Sequence, residues 1–251
     1  MDIFDLSGQV AVVTGATRGL GQAMAVALAE HGADIALLQR NQTEVSTKEM
    51  IEKTGRRCEI ISCDLSNIEQ VKTVMNKVDH CFGHVDILVN SAGIQRRSPS
   101  VDFSETDWDD VIDVNLKSVF LLCQQAGKRM IQMKRGKIIN IASLMSFQGG
   151  ITIPAYAAAK GGVAQLTKAL ANEWAGLGIN VNAIAPGYMD TDMNEALINN
   201  ETRSRQILER IPAGRWGEPE DMKGSVIFLA SRASDYINGH VLVVDGGWMG
   251  R

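Results

Sequence analysis

Residues 9–14 (QVAVVT) are a short apolar, β-branched run, and Gly15-Ala-Thr-Arg-Gly19-Leu-Gly21 follows at once. An alanine-rich amphipathic stretch then continues to about residue 30. A buried strand, a glycine turn and a helix are predicted in that order. Few folds accommodate this arrangement, because strand and helix must pack on each other and glycines let the backbones approach closely. The turn also offers the free N–H groups and positive dipole end of a helix N-terminus to a phosphate. The spacing is GxxxGxG rather than GxGxxG, and an ordinary glycine-rich turn would share it. The strand before it and the helix after it favour the phosphate reading.

The same alternation recurs along the chain. Further strands are predicted at 33–38 (ADIALL), 57–63 (RCEIISC), 85–90 (VDILVN), 137–141 (KIINI), 178–185 (GINVNAIA) and 241–244. Helices are predicted at 43–53, at 67–82 with Gly83 as its stop, at 107–133, at 155–174 after Pro154, and at 218–231 with Pro219 in its first turn. Repeated strand–helix units imply an α/β fold, a single Rossmann-type doubly wound parallel sheet with helices on both faces. At 251 residues and 45% hydrophobic, the chain suits one such domain spanning residues 1–251. Ligands in these sheets sit at the carboxyl ends of the strands. Gly15, Gly93, Ser143 and Gly187 all fall there, so one cleft is expected. Residues 188–214 are polar, irregular and too long for an ordinary connection, and they read as a substrate lid.

Several function classes are set aside at this point. A net charge of −4 with no basic block gives no reason to expect a nucleic-acid partner. Neither a signal-like N-terminal segment nor an apolar run near 20 residues is present, so a soluble, cytoplasmic protein without a membrane partner is expected. Cys58, Cys63, Cys81 and Cys123 show no CxxC pairing and read as reduced thiols, with no metal site.

The chemistry is concentrated in 143–160 (SLMSFQGGITIPAYAAAK). Tyr156 and Lys160 are four residues apart, hence on one helix face. A nearby cation favours the phenolate, so the pair reads as a tuned acid/base able to exchange a proton with a substrate oxygen. A surface tyrosine and lysine on an alanine-rich helix would have the same spacing. At the end of the second strand, where a carboxylate would bind the ribose of NAD, stand Gln39 and then Arg40. Arg40 suits a 2′-phosphate, with Arg18 as a second positive charge, which favours NADP(H) while leaving NAD(H) possible. A solvated Arg40 is the competing reading. Asp64 either accepts from an adenine amino group or caps the next helix. Arg96 and Arg97 either bind a substrate carboxylate or are solvated. Asn115 lies inside an apolar pattern and needs partners, structural or functional.

These segments together resemble the short-chain dehydrogenase/reductase family over essentially the full length. The resemblance is carried by TGATRGLG (14–21), NSAG (90–93, where NNAG is usual), Asn115, Ser143, YAAAK (156–160) and PGYMDT (186–191). It implies that Tyr156 is the general acid/base and that Ser143 bonds the substrate oxygen. Lys160 would lower the Tyr156 pKa and bind the nicotinamide ribose. Asn115 would hold a water in a proton relay with Lys160, and Thr191 would bind the nicotinamide carboxamide. Cofactor contacts would come from Gly15, Thr17, Arg18, Gly19, Leu20 and Gly21 in the glycine turn. Arg40, Asp64, Leu65, Asn90, Ala92 and Gly93 would follow at the next strand ends, then Tyr156 and Lys160, and Pro186, Gly187 and Met189 beside Thr191.

GKIINIASLMSFQGG, NEWAGLGINVNAIAPGYM, RIPAGRWGEPED and DYINGHVLVVDGGW are similar to the group of 2-deoxy-D-gluconate (2-keto-3-deoxy-D-gluconate) dehydrogenases. That implies a sugar-acid or keto-sugar-acid substrate, with Arg96 and Gln148 as contacts alongside Ser143 and Tyr156. Polyol dehydrogenases and 3-oxoacyl reductases share the core, and a non-catalytic nucleotide-binding protein is the reading from another class. The family resemblance also implies a homotetramer, for which Trp248 is a candidate interface residue.

Overall fold

The computed structural model describes residues 2–251. Seven strands form one sheet: β1 (Val10–Thr14), β2 (Asp34–Gln39), β3 (Cys58–Ser62), β4 (Ile87–Asn90), β5 (Gly136–Ile141), β6 (Ile179–Pro186) and β7 (Val241–Val244). All pairs are parallel, in the order β3-β2-β1-β4-β5-β6-β7. The helices are α1 (Gly19–Glu30), α2 (Ser46–Glu52), α3 (Ile68–Phe82), α4 (Glu105–Ile112), α5 (Ser118–Met133), α6 (Pro154–Trp174), α7 (Glu195–Ile198), α8 (Glu201–Leu208) and α9 (Lys223–Ala230).

Side chains alternate across a strand, so each inner strand feeds two cores. Val13, Ile35 and Leu37 pack with Met24 and Leu28 of α1 and Val226 of α9. Val12, Ala36 and Leu38 pack on the other face with Val74 of α3, Leu122 and Met130 of α5, and Val163 of α6. Burial on both faces explains why the strands read as continuous apolar runs. The chain order reverses between β1 and β4, and there a crevice opens at the carboxyl ends. Its floor is tied by Thr14, whose Oγ1 accepts from the N–H groups of Ser91 and Ala92, both at 3.0 Å.

Three expected elements differ in detail. The predicted helix 107–133 is α4 and α5 joined by a π turn, Asp113–Lys117. There the Ser118 N–H bonds to Asp113 O, and Ser118 Oγ donates to Val114 O at 2.6 Å. This widening places Asn115 inside the molecule. Predicted helix 218–231 begins as a 3₁₀ turn, Pro219–Met222, before α9. The segment 188–214 carries a 3₁₀ turn, Asp192–Asn194, then α7 and α8.

Candidate active site

Ser143 follows β5 by two residues and caps a 3₁₀ turn, Leu144–Ser146, its Oγ accepting from the Met145 N–H at 3.2 Å. Pro154 sits in the first turn of α6, whose next turns carry Tyr156 and Lys160. Their one-turn spacing puts Lys160 Nζ 5.7 Å from the centre of the Tyr156 ring. Lys160 is buried and donates to Ile141 O at 2.5 Å. Burial lowers its pKa to about 8. Burial also raises the Tyr156 phenol, opposed by a hydrogen bond with Ser143 and by the charge of Arg97. Arg97 thus joins Lys160, the cation the sequence pointed to, beside Tyr156.

Asn115 is buried and reciprocally paired with the Ile94 main chain. Its Oδ1 accepts from Ile94 N–H and its Nδ2 donates to Ile94 O, both at 2.8 Å. A Cβ on Gly93 would stand 3.4 Å from Asn115 Oδ1 and 4.0 Å from Lys160 Nζ. Glycine at 93 keeps the space between these two groups open.

On the other side of the crevice lies a cleft of about 740 Å³, lined by Gly15, Thr17–Gly21, Ser91–Gly93, Val114 and Thr191 among others. Gly15 has φ +65°, and a Cβ there would come within 2.6 Å of Ala92 Cα. A Cβ on Gly21 would collide with the Gly15 carbonyl. The first turn of α1 holds no acidic residue and its Arg18 N-cap makes no side-chain cap bond. Open donors, a positive dipole end and a glycine cradle fit a pyrophosphate. Thr47 fixes the turn from beneath, donating to Ala16 O at 2.7 Å and accepting from Gln22 Nε2 at 2.8 Å. The cleft continues past the end of β2 as a space of about 410 Å³ lined by Arg40, Asp64, Leu65 and Gly15. A hydrogen bond from Ser66 Oγ holds the Asp64 carboxyl below its usual value, with a smaller contribution from the Arg40 charge. Gln39 is turned inward, donating to Asn41 O at 2.6 Å and Glu44 O at 2.7 Å, and Arg40 is left at the surface. Together the two spaces fit a dinucleotide with its adenosine end at Arg40.

Ser143 and Tyr156 open into a separate cavity of about 380 Å³. Met145 and Gly149–Ile151 form part of one wall, Tyr188, Asn194 and Leu197 part of another. Arg97, Arg203 and Arg210 also line it, and no carboxylate does. None of the three arginines is ion-paired among the described residues. Arg210 lies over the Trp248 ring at 4.0 Å. Trp248 stands against Tyr188, centroids 4.6 Å apart, with its Nε1 3.5 Å from Gln148 Oε1.

Residues 15–249 match the enoyl-(acyl carrier protein) reductase family. The 2-dehydro-3-deoxy-D-gluconate 5-dehydrogenase of Escherichia coli (strain K12) is 51% identical over 252 residues, covering 100% of this chain and 99% of that protein. The chain belongs to the short-chain dehydrogenase/reductase family. As a member it is a nicotinamide-dependent oxidoreductase acting on CH–OH groups. An Agrobacterium tumefaciens structure with bound NADP is 50% identical, with each chain covered in full and a TM-score of 0.94. A gluconate 5-dehydrogenase from Burkholderia cenocepacia J2315, solved with NADP and tartrate, is 41% identical, with 100% and 98% of the two chains covered and a TM-score of 0.96.

Most residues that the sequence singled out line one of these three spaces, and five are placed differently from expectation. Asn90 points its amide into the interior, donating to Asn140 Oδ1 at 2.9 Å. Met189 is buried in the core and bridges to Gly217. Arg96 is drawn to Asp107 at 3.2 Å and Asp110 at 3.6 Å, and faces the dinucleotide cleft. Its neighbour Arg97 reaches the Ser143–Tyr156 cavity instead. Trp248, the candidate interface residue, is buried within its own chain. Asp64 does not cap α3: its Oδ1 accepts from Ser66, and Asn67 is the cap. No role was expected for Thr14, Ser146, Arg203 or Arg210, although Thr14 opens TGATRGLG, Ser146 lies within 143–160 and Arg210 opens RIPAGRWGEPED.

Proposed function

We propose that the protein catalyses reversible, NADP(H)-preferring oxidation of a secondary hydroxyl on a six-carbon sugar acid or keto sugar acid. The observation that carries the substrate class is the 380 Å³ cavity beside Ser143 and Tyr156, with three unpaired arginines and no carboxylate in its lining. An anion is favoured there, and a carboxylate matches the guanidinium fork. The E. coli relative is named for the 5-hydroxyl of 2-dehydro-3-deoxy-D-gluconate, and the B. cenocepacia enzyme was solved with a small dicarboxylate, tartrate. Both fit a polyhydroxy acid of this size.

When bound, the nicotinamide supplies or accepts the hydride. This chain's residues handle the proton. In the oxidation direction the Tyr156 phenolate takes the proton of the substrate hydroxyl, and in reduction the phenol returns it. Ser143 Oγ accepts from Met145 N–H, which leaves its own proton to donate to the substrate oxygen. Lys160 holds a charge or proton beneath Tyr156, and the space at Gly93 suits a water linking it toward Asn115. Thr191 and the glycine turn position the nicotinamide half, and Arg40 faces the adenosine end. Arg18 pairs with Asp192 at 3.0 Å, so the glycine turn is tied to the start of the lid. A homotetrameric assembly is part of the same reading, drawn from the family.

The test is a substrate panel assayed with NADP(H) and NAD(H). Sugar acids and keto sugar acids are expected to exceed the matching uncharged polyols and 3-oxoacyl thioesters in kcat/KM. Equal or higher kcat/KM on uncharged substrates would sink the sugar-acid assignment.

A further inference from the structure

Ser146 stands three residues beyond Ser143, and its hydroxyl makes two bonds. Ser146 Oγ accepts from the Ser143 main-chain N–H at 3.3 Å and donates to the Lys160 carbonyl at 2.6 Å. One hydroxyl thus fastens the loop after β5 to α6, at the residue one turn beyond Tyr156. The Lys160 ammonium supplies a second tie to the same segment through Ile141 O. Ser143 and Tyr156 come from different elements, yet both must lie within about 3 Å of one substrate oxygen. Their mutual placement depends on whatever joins the loop to the helix. Ser143 Oγ is further oriented by the Met145 N–H, inside the short turn that Ser146 closes. The Lys160 carbonyl has a second lone pair beyond the one its helix uses, so the Ser146 bond is additional to α6 rather than part of its ladder.

We propose that Ser146 is a positioning residue for proton transfer: its hydroxyl sets Ser143 Oγ against Tyr156 and acts through Ser143. The role does not depend on which alcohol is the substrate. It also separates two functions of the 143–160 segment, since Ser146 is not among the residues that line the dinucleotide cleft.

A double-mutant cycle tests this, using S146A, S143A and the pair, with kcat, KM, cofactor affinity by fluorescence and melting temperature measured for each. S146A is expected to lower kcat about 10- to 100-fold, as sub-ångström to ångström misplacement does. Cofactor affinity stays within about twofold of wild type. In the S143A background, S146A changes kcat by less than about twofold, because the group it positions is gone. The Ser143 hydrogen bond lowers the Tyr156 pKa, so the ascending limb of the oxidation pH profile moves to higher pH in S146A. S146T, which keeps the hydroxyl, retains most of kcat. Additive losses in the two backgrounds overturn the proposal, as does a wild-type kcat in S146A. Loss of cofactor affinity in step with kcat overturns it too. Should S146A fold poorly, S146C preserves volume with a weaker donor, and the same cycle is run with it.

Discussion

Lys160 Nζ donates at 2.5 Å to the carbonyl of Ile141, the last residue of β5. The helix that carries Tyr156 is therefore pinned by its own buried ammonium to the strand that delivers Ser143. That ammonium gains one strong bond and is largely withdrawn from bulk solvent, and burial brings its pKa to about 8 from an ordinary 10.5. The site holds a cation that the fold penalises.

Stability should reveal that penalty. Below pH 8 the folded and unfolded chains both carry the Lys160 proton, and the cost of burying the charge is fully present. Between about 8 and 10.5 the unfolded chain binds more protons, so wild-type stability rises with pH there. Lys160→Met, similar in length and uncharged, is expected to be inactive. It should also melt a few degrees higher than wild type at pH 7, with the gain gone by about pH 10.5. Calorimetry of the cofactor-free protein across this range checks it. A gap that stays constant with pH would mean the ammonium is not penalised by burial.

Tyr156→Phe removes only the hydroxyl. Turnover in both directions should fall at least about 10³-fold, within reach of losing general acid–base catalysis together with a placed hydrogen bond. Cofactor affinity should stay within about threefold, because the dinucleotide cleft is lined by the glycine turn and by residues 91–97 and 191–193. Comparable turnover in the variant would remove Tyr156 as the proton donor.

The fold was readable because a buried parallel sheet writes itself as apolar runs: residues 9–14 and 85–90 each contain their strand, and 33–38 misses only the last residue of β2. Strand ends followed by Gly15, Gly93, Ser143 and Gly187 placed the crevice correctly. What stayed hidden depends on side-chain direction or on distant partners. Asn90 sits in a motif, but strand alternation sends its amide to Asn140 and away from the cleft. Arg96 and Arg97 are adjacent and alike, and only the acids of α4 decide which one is neutralised. The π turn at Asp113–Lys117 has no propensity signal. Thr152 has φ +63°, unusual for a β-branched residue, and its carbonyl accepts from Ser98 N–H, joining the Arg97 loop to the substrate loop. Neither spacing nor composition announces that contact.

Cofactor preference should turn on Arg40. Gln39 is held by the loop at 41–44, so it cannot read the ribose as a carboxylate would, and Arg40 is the exposed group at that end. Arg40→Asp is expected to lower the NADP-to-NAD ratio of kcat/KM by about 10- to 1,000-fold, through a lost charge-assisted pair and a new repulsion. An unchanged ratio would leave Arg18 as the group to test next.

The arginines of the substrate cavity make separable predictions, because they act on different things. Arg97 is close enough to Tyr156 for its charge to lower the phenol. Arg210 is stacked on Trp248, which is itself wedged against Tyr188. Stacking restricts a long side chain in advance, so Arg210 loses less freedom on meeting a carboxylate. Arg210→Met should therefore raise KM for a sugar acid by about 10- to 100-fold, the range for a charged hydrogen bond. It should leave kcat, the pH profile and activity on the matching polyol nearly unchanged. Trp248→Leu should reproduce part of that KM effect by freeing the guanidinium. Arg97→Met should also weaken the acid, but it should in addition shift the ascending limb of the oxidation profile to higher pH, with polyols as well as acids. If both variants move the pH profile alike, Arg210 acts on Tyr156 rather than on the carboxylate. If neither alters the preference for acids over polyols, the anion is read elsewhere in the cavity, and Arg203 on α8 is the remaining unpaired cation in its lining.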